Sequence, residues 1–159
     1  MKIEYSAIGT IHSPFKTPHG MPIQPSAAIG VKGRINLDKK YIPALSDLDG
    51  FSHIYILYHF HLAATQKLKV IPFLDVDERG IFSTRAPIRP NTIGLSVVKL
   101  VSIKENILSI ENVDVVDGTP LLDIKPYIQD MEAVENVRIG WLEKFKNNVH
   151  SKKADDRFI

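Results

Sequence analysis

The chain contains no cysteine in its 159 residues. That excludes a disulfide scaffold, a thiolate-bound metal and a cysteine nucleophile, and it suits a reducing compartment. No apolar run approaches the ~18 residues needed to span a bilayer, and the Met1-Lys2-Ile3-Glu4-Tyr5 start has no apolar leader. A soluble, cytoplasmic protein with no membrane partner is expected. Charge of one sign is also scarce. Lys plus Arg number 20 against 18 Asp plus Glu, a net +2, so nucleic acid is permitted as a partner but the footprint of a DNA coat or polybasic membrane binder is missing. G-x-G-x-x-G after a strand, G-x-x-x-x-G-K-[ST] and G-x-S-x-G are all absent, which argues against a Rossmann fold, a P-loop and a nucleophile elbow. With 44% hydrophobic and 24% charged residues, the composition is that of one globular domain.

Ten Pro and nine Gly break the chain into short apolar runs, so a mainly β fold is expected before residue 128. Strands are predicted at Ile3–Phe15, Ala28–Leu37, Phe51–His61, Ile81–Arg85, Gly94–Lys104, Ile107–Val116 and Leu121–Ile124. The Phe51–His61 run (FSHIYILYHFH) combines aromatic and β-branched residues without a breaker and is expected to be central. Glu105-Asn106 has the length of a hairpin loop, and Asp117-Gly118 reads as a turn. From Ile128 to Val149, Ile128, Met131, Val134, Val137, Ile139, Trp141, Leu142 and Phe145 fit an amphipathic helix interrupted by Gly140. The predicted architecture is a small closed or nearly closed β-barrel over residues 1–128, which removes sheet edges, with a C-terminal helix and tail over 129–159 packed on it.

Three constellations carry chemistry. His59 and His61 share one strand face, a geometry compatible with a divalent ion, but the following residues, LAATQKLKVIPF, supply no third ligand; hydrogen-bonded wall histidines are the plainer reading, and no metal is assigned. Arg85 and Arg89 stand four apart beside Pro87 and Pro90, where fixed φ angles lower the entropy cost of presenting guanidinium forks to a carboxylate or phosphate. Asp114 sits within an apolar run, so if buried it needs a partner such as an Arg, an amine or a ribose.

Four segments carry a resemblance: IGTIHSPF (Ile8–Phe15), GFSHIYILYHFH (Gly50–His61), FSTRAPIRPNTIGLSVV (Phe82–Val98) and VDVVDGTPLLDIKPYI (Val113–Ile128). Through them the chain resembles the TsaA-like, TrmO-type family. The resemblance implies a non-Rossmann β-barrel methyltransferase that uses S-adenosyl-L-methionine, a homodimer, and as substrate the N6 of (threonylcarbamoyl)adenosine 37 in the anticodon loop of a tRNA. For bacterial members it also implies an additional C-terminal domain that these 159 residues lack. By matching position it implies cofactor contacts from Gln24, Pro25, Ser26, His61, Leu62, Arg85, Leu95, Glu111, Asn112, Val113 and Asp114, with Leu62 and Ser26 departing from a Gln and a Gly of the bacterial pattern. Arg89, Asn91 and Asp123 are the candidates on the substrate side, with His61 or Asp123 as the acceptor for the N6 proton. Two alternatives stand beside this reading: a non-catalytic nucleic-acid-binding barrel of OB type, and a cupin-like metal enzyme built on His59 and His61.

Overall fold

A computed structural model describes residues 1–145 and 153–158. Its frame is a closed six-stranded antiparallel barrel in the order β1-β2-β7-β6-β3-β8. The barrel strands are β1 (Gly9–His12), β2 (Lys32–Leu37), β3 (His53–His59), β6 (Ile93–Lys104), β7 (Ile107–Glu111) and β8 (Thr119–Pro126); a separate two-stranded ribbon pairs β4 (Lys69–Val70) with β5 (Arg79–Gly80). Alternation builds the core. Ile54 and Ile56 on β3, Val98 on β6, Ile35 on β2, Leu108 and Ile110 on β7, Ile11 and Leu121 point inward and are essentially inaccessible. β3 is paired with β6 and β8 over nearly its whole length; in a closed barrel no strand is central, since each has two neighbours.

The β6–β7 hairpin turns on Glu105 and Asn106, with Lys104 opposite Ile107; Glu105 takes the left-handed conformation the turn demands, at φ 55°. Because neighbours are antiparallel, the ends at His12, Lys32, His59, Ile93, Glu111 and Thr119 gather at one rim. The loops that leave this rim carry most of the predicted site residues.

Several elements differ from the sequence expectation. The first strand is Gly9–His12 alone, and β2 begins only at Lys32, after Gly30 turns the chain at φ 79°. Ile81–Arg85 is not a strand: Ile81–Ser83 forms a 3₁₀ turn in which the Ser83 and Thr84 hydroxyls donate to the Gly80 and Ile81 carbonyls, a local alternative to ladder bonds that Ser and Thr favour. Ile107–Val116 ends as a strand at Glu111, since Asn112 turns left-handed at φ 68°. The predicted Ile128–Val149 helix is reduced to one turn, α1 (Gln129–Glu132), and a 3₁₀ segment at Gly140–Lys144; its last residues, 146–149, lie outside the described residues. Asn136 and Gly140, both at positive φ, interrupt it, and Ile128, Met131, Val134, Val137 and Ile139 remain exposed instead of forming a buried stripe.

Between β3 and β6 the chain makes an excursion, residues 61–92, here called the arm. Its own small core joins Val70, Ile81, Ala86 and Ile88 to Phe158 of the tail, with Phe73 stacked edge-on against Phe158 at 4.8 Å. The tail also bridges to residues 18–22: Gly20 donates to the Ala154 carbonyl and Ala154 to that of Met21.

Candidate functional site

Outside the rim, a cleft of about 320 Å³ is lined by Gln24, Pro25, Ser26, Ile29, Arg85, Val97 and Asn112. Five of the predicted cofactor residues thus meet from three separate segments. Pro25–Ala27 is a 3₁₀ turn lying over β6; Arg85 comes from the arm; Asn112 begins the loop joining β7 to β8. A lattice of short bonds joins these walls. The Gly30 amide donates to Asn112 Oδ1 at 2.9 Å, and the Val113 amide donates to the Val31 carbonyl. Asn tolerates the left-handed backbone at 112 better than most residues, so one side chain both permits the turn and ties it to the opposite wall.

Arg85 makes no hydrogen bond or ion pair among the described residues, yet its charge acts on Asp114, Tyr55 and Tyr58. Arg89 differs. Its Nη1 donates to the Thr84 and Ala86 carbonyls, stapling its own loop. The arginine loop therefore holds one guanidinium for structure and leaves the other facing the cleft.

The remaining predicted residues are not on the lining of the cleft. Leu95, 49% exposed, shares the outer face of β6 with Val97 two residues on. Glu111 pairs with Lys99 at 3.3 Å. Val113 is fully buried, so its side chain is core. Asp114 is in a loop rather than in a strand, its Oδ1 accepting from Ser96 Oγ at 2.7 Å. Leu62 is exposed just past β3. His61 lies beyond the end of β3, its Nδ1 3.4 Å from Thr119 Oγ1, while His59 Nδ1 is 3.1 Å from Thr92 Oγ1. Each imidazole meets a threonine on a different segment, and among the described residues no three His, Asp or Glu side chains gather as a metal cluster; the cupin-like alternative is not favoured. Burial and then the neighbouring His59 push the His61 imidazole below its ordinary value.

On the outer face, Leu95 of β6 stands opposite Leu57 of β3, which stands opposite Asp123 of β8. Asp123 pairs with Lys125 at 2.9 Å and accepts from the Ile124 amide. Asn91 is exposed, and its carbonyl accepts from the Ile93 amide. The sequence reading missed Ile29 and Val97, which add the apolar floor and rim of the cleft, and Ser96. A polar residue at an inward position of an otherwise apolar strand was the available signal for Ser96. A larger hollow, about 540 Å³, lies between arm and tail against Lys67, Lys69, Arg157 and Phe158; none of the predicted site residues lines it.

Comparison with known proteins identifies the family of the chain. The family described as the tRNA-methyltransferase O N-terminal domain matches residues 10–133. A Pyrococcus abyssi protein described as a probable S-adenosyl-L-methionine-binding protein is 50% identical, over 100% of this chain and 86% of its own length. A mouse protein named tRNA (adenine(37)-N6)-methyltransferase is 40% identical over 83% of this chain, which spans only 32% of it. A crystal structure of TrmO superposes with a TM-score of 0.77 at 39% identity, covering 88% of this chain and 64% of that one.

Proposed function

This chain belongs to the tRNA-methyltransferase O N-terminal domain family, and from that membership we propose that it is an S-adenosyl-L-methionine-dependent methyltransferase acting on N6 of adenine 37 in a tRNA, the threonylcarbamoylated base included. The observation that carries the reading is the meeting of Gln24, Pro25, Ser26, Arg85 and Asn112 at one cleft. A ligand with a carboxylate, an apolar body and hydrogen-bonding edges fits a wall that offers a guanidinium, Val97 and Ile29, and an amide side chain. Bound there, S-adenosylmethionine supplies an electrophilic methyl group on a sulfonium. Arg85 holds the carboxylate, and Asp114 serves the amine or the ribose side.

Adenine N6 is a weak nucleophile because its lone pair is delocalised into the ring, so the protein contributes by alignment, exclusion of water and a proton acceptor. Leu95 and Asp123 lie two strands apart on the outer face, about 10 Å by ordinary strand spacing, with Leu57 between them as an apolar bed for the base. His61, whose imidazole burial holds below its ordinary value, and the carboxylate of Asp123 are the two candidate acceptors for the N6 proton; Asn91 and Arg89 are the further candidates on the substrate side. A homodimer in the cytoplasm completes the proposal. The exposed apolar side chains of Ile93 and Leu95, and those of Met131, Val134 and Val137 in the C-terminal segment, support a second copy covering apolar surface.

Calorimetric titration tests the reading. Wild-type protein is expected to bind S-adenosylmethionine saturably, about one per chain, and Arg85→Ala to bind at least about tenfold more weakly while keeping its fold. Folded wild-type protein that does not bind, or tRNA that gains no methyl group by mass spectrometry when incubated with it, overturns the assignment.

A further inference from the structure

Behind Asp114 the barrel mouth contains two buried hydroxyls, Ser96 and Tyr58, to which the proposed function gives no role. Ser96 is 3% exposed and occupies an inward position of β6 between Gly94 and Val98. Its hydroxyl donates to Asp114 Oδ1 at 2.7 Å and lies 3.1 Å from the hydroxyl of Tyr58, itself buried. A serine hydroxyl has a single proton. With that proton given to the carboxylate, Tyr58 must donate to Ser96, so the chain runs Tyr58 to Ser96 to Asp114. Tyr58 is fixed at its origin: its ring covers Gly94, where a Cβ would overlap it, and meets Phe60 edge-on at 5.3 Å.

We propose that Ser96, backed by Tyr58, is a positioning residue for cofactor binding: it fixes the Asp114 carboxylate at the barrel mouth, two residues from the cleft-lining Asn112 and within the field of Arg85. The inference rests on the function proposed above and adds how the loop that closes the cleft is oriented. A buried serine with no such role needs only some acceptor; here the acceptor is a loop carboxylate on which the charge of the cleft-lining Arg85 acts.

The arrangement has a pH signature. Burial pushes the Asp114 carboxyl up to about 6, against the opposing Ser96 hydrogen bond, its own amide and Arg85. The groups facing it are Tyr58 from β3, Arg85 from the arm and the neutral Ser96 from β6; burial and then the Asp114 charge hold the Tyr58 hydroxyl far above its ordinary range, so it stays a donor. The ionised carboxylate attracts Arg85 and accepts from Ser96, hence cofactor affinity falls as pH drops through about 6. Removing the Ser96 donor favours the protonated acid and moves that midpoint upward.

The test measures S-adenosylmethionine affinity by calorimetry from about pH 5 to about pH 8, beside the Asp114 carboxyl titration followed by carbon NMR in ligand-free protein. Ser96→Ala is expected to bind about tenfold more weakly near neutrality, with both midpoints shifted up together; Tyr58→Phe shifts them less, in the same direction; Asp114→Asn flattens the profile. Ser96→Ala with wild-type affinity and midpoint, or Asp114→Asn with the wild-type profile, overturns the proposal. If Ser96→Ala loses its fold by circular dichroism, Tyr58→Phe and Asp114→Asn decide by the same criteria. Wild-type protein that binds with flat affinity across the range overturns the relay alone, whereas failure to bind at any pH overturns the function on which it rests.

Discussion

The barrel and the arm that interrupts it are built to different standards. In the barrel every strand has two hydrogen-bonded neighbours and the interior is a continuous cluster from Ile11 to Leu121. In the arm, two strands of two residues pair only with each other, and a handful of side chains form a core that the tail completes with Phe158. Yet Arg85, the cleft's cation, hangs on the arm, while the barrel lends the cleft mainly Val97. The contrast follows a general division: closed sheets supply rigidity, and loops of lower local stability supply the groups that meet ligands. Cofactor affinity is therefore expected to be sensitive to the arm's anchors without any loss of barrel stability.

The largest effect comes from the barrel side. A Cβ at Gly94 overlaps the Tyr58 ring, and neither the ring, pinned by Phe60 and Ser96, nor the β6 backbone, paired there with β3, has room to yield. Gly94→Ala is expected to cost about 2–3 kcal/mol of global stability in denaturant unfolding. An unchanged midpoint would mean that the barrel wall is softer than its pairing suggests, and the contrast with the arm would lose its basis.

On the arm side the expected loss is local. Phe158→Ala empties the middle of the small core, at a cost of about 2 kcal/mol. Hydrogen exchange of the arm amides that bond across it, Lys67 to Ile88 and Ile81 to Leu68, is expected to accelerate about thirtyfold. Amides of β3 and β6 are expected to keep wild-type protection, and cofactor affinity to drop several-fold through Arg85. Equal acceleration in both regions would show that arm and barrel unfold as one unit.

The same contrast separates what the residues announce from what they conceal. The barrel was legible because its signals are local: the period-two alternation in HIYILYH and in the β6–β7 hairpin, and the two-residue turn at Glu105. The arm was not, since Ile81–Arg85 has strand composition but Ser83 and Thr84 turn their hydroxyls onto nearby carbonyls. The C-terminal segment has helical spacing of apolar residues without a surface to bury them against, and spacing alone cannot report that. Of the site, the residue types of the cleft were readable through motif likeness. The ties across it were not: Gly30 to Asn112, Ser96 to Asp114 and Tyr58 to Ser96 join positions 82, 18 and 38 residues apart, and only the fold brings them together.

The smallest expected effect lies at the seam, where the loop from β7 to β8 is fastened to the chain leaving β1. Lys16 Nζ meets Asp117 Oδ2 at 2.6 Å, and the Ser13 amide and His12 Nδ1 both lie 3.1 Å from Oδ1. Lys16 first, then the Ser13 amide, hold this carboxyl down at about 2 against 3.8 for a free one. A depressed folded-state value stabilises the fold fully above the unfolded value, and the contribution is lost as pH falls from near 4 through about 2. Three residues earlier in the same loop, Asp114 is shifted the other way, so ionising it costs stability above about 6 and the cost fades as pH falls towards the unfolded value. Asp117→Asn is accordingly expected to lose about 1 kcal/mol at neutral pH, discounted for the partial exposure of the pair, and to match wild type near pH 2. Urea unfolding across this window checks it, with Asp114→Asn showing the reverse: equal or greater stability than wild type at neutrality, and no advantage at the acid end. A neutral-pH loss in both variants would mean that the two carboxylates serve the fold alike, and that Asp114 is not held in its charged form at the expense of stability.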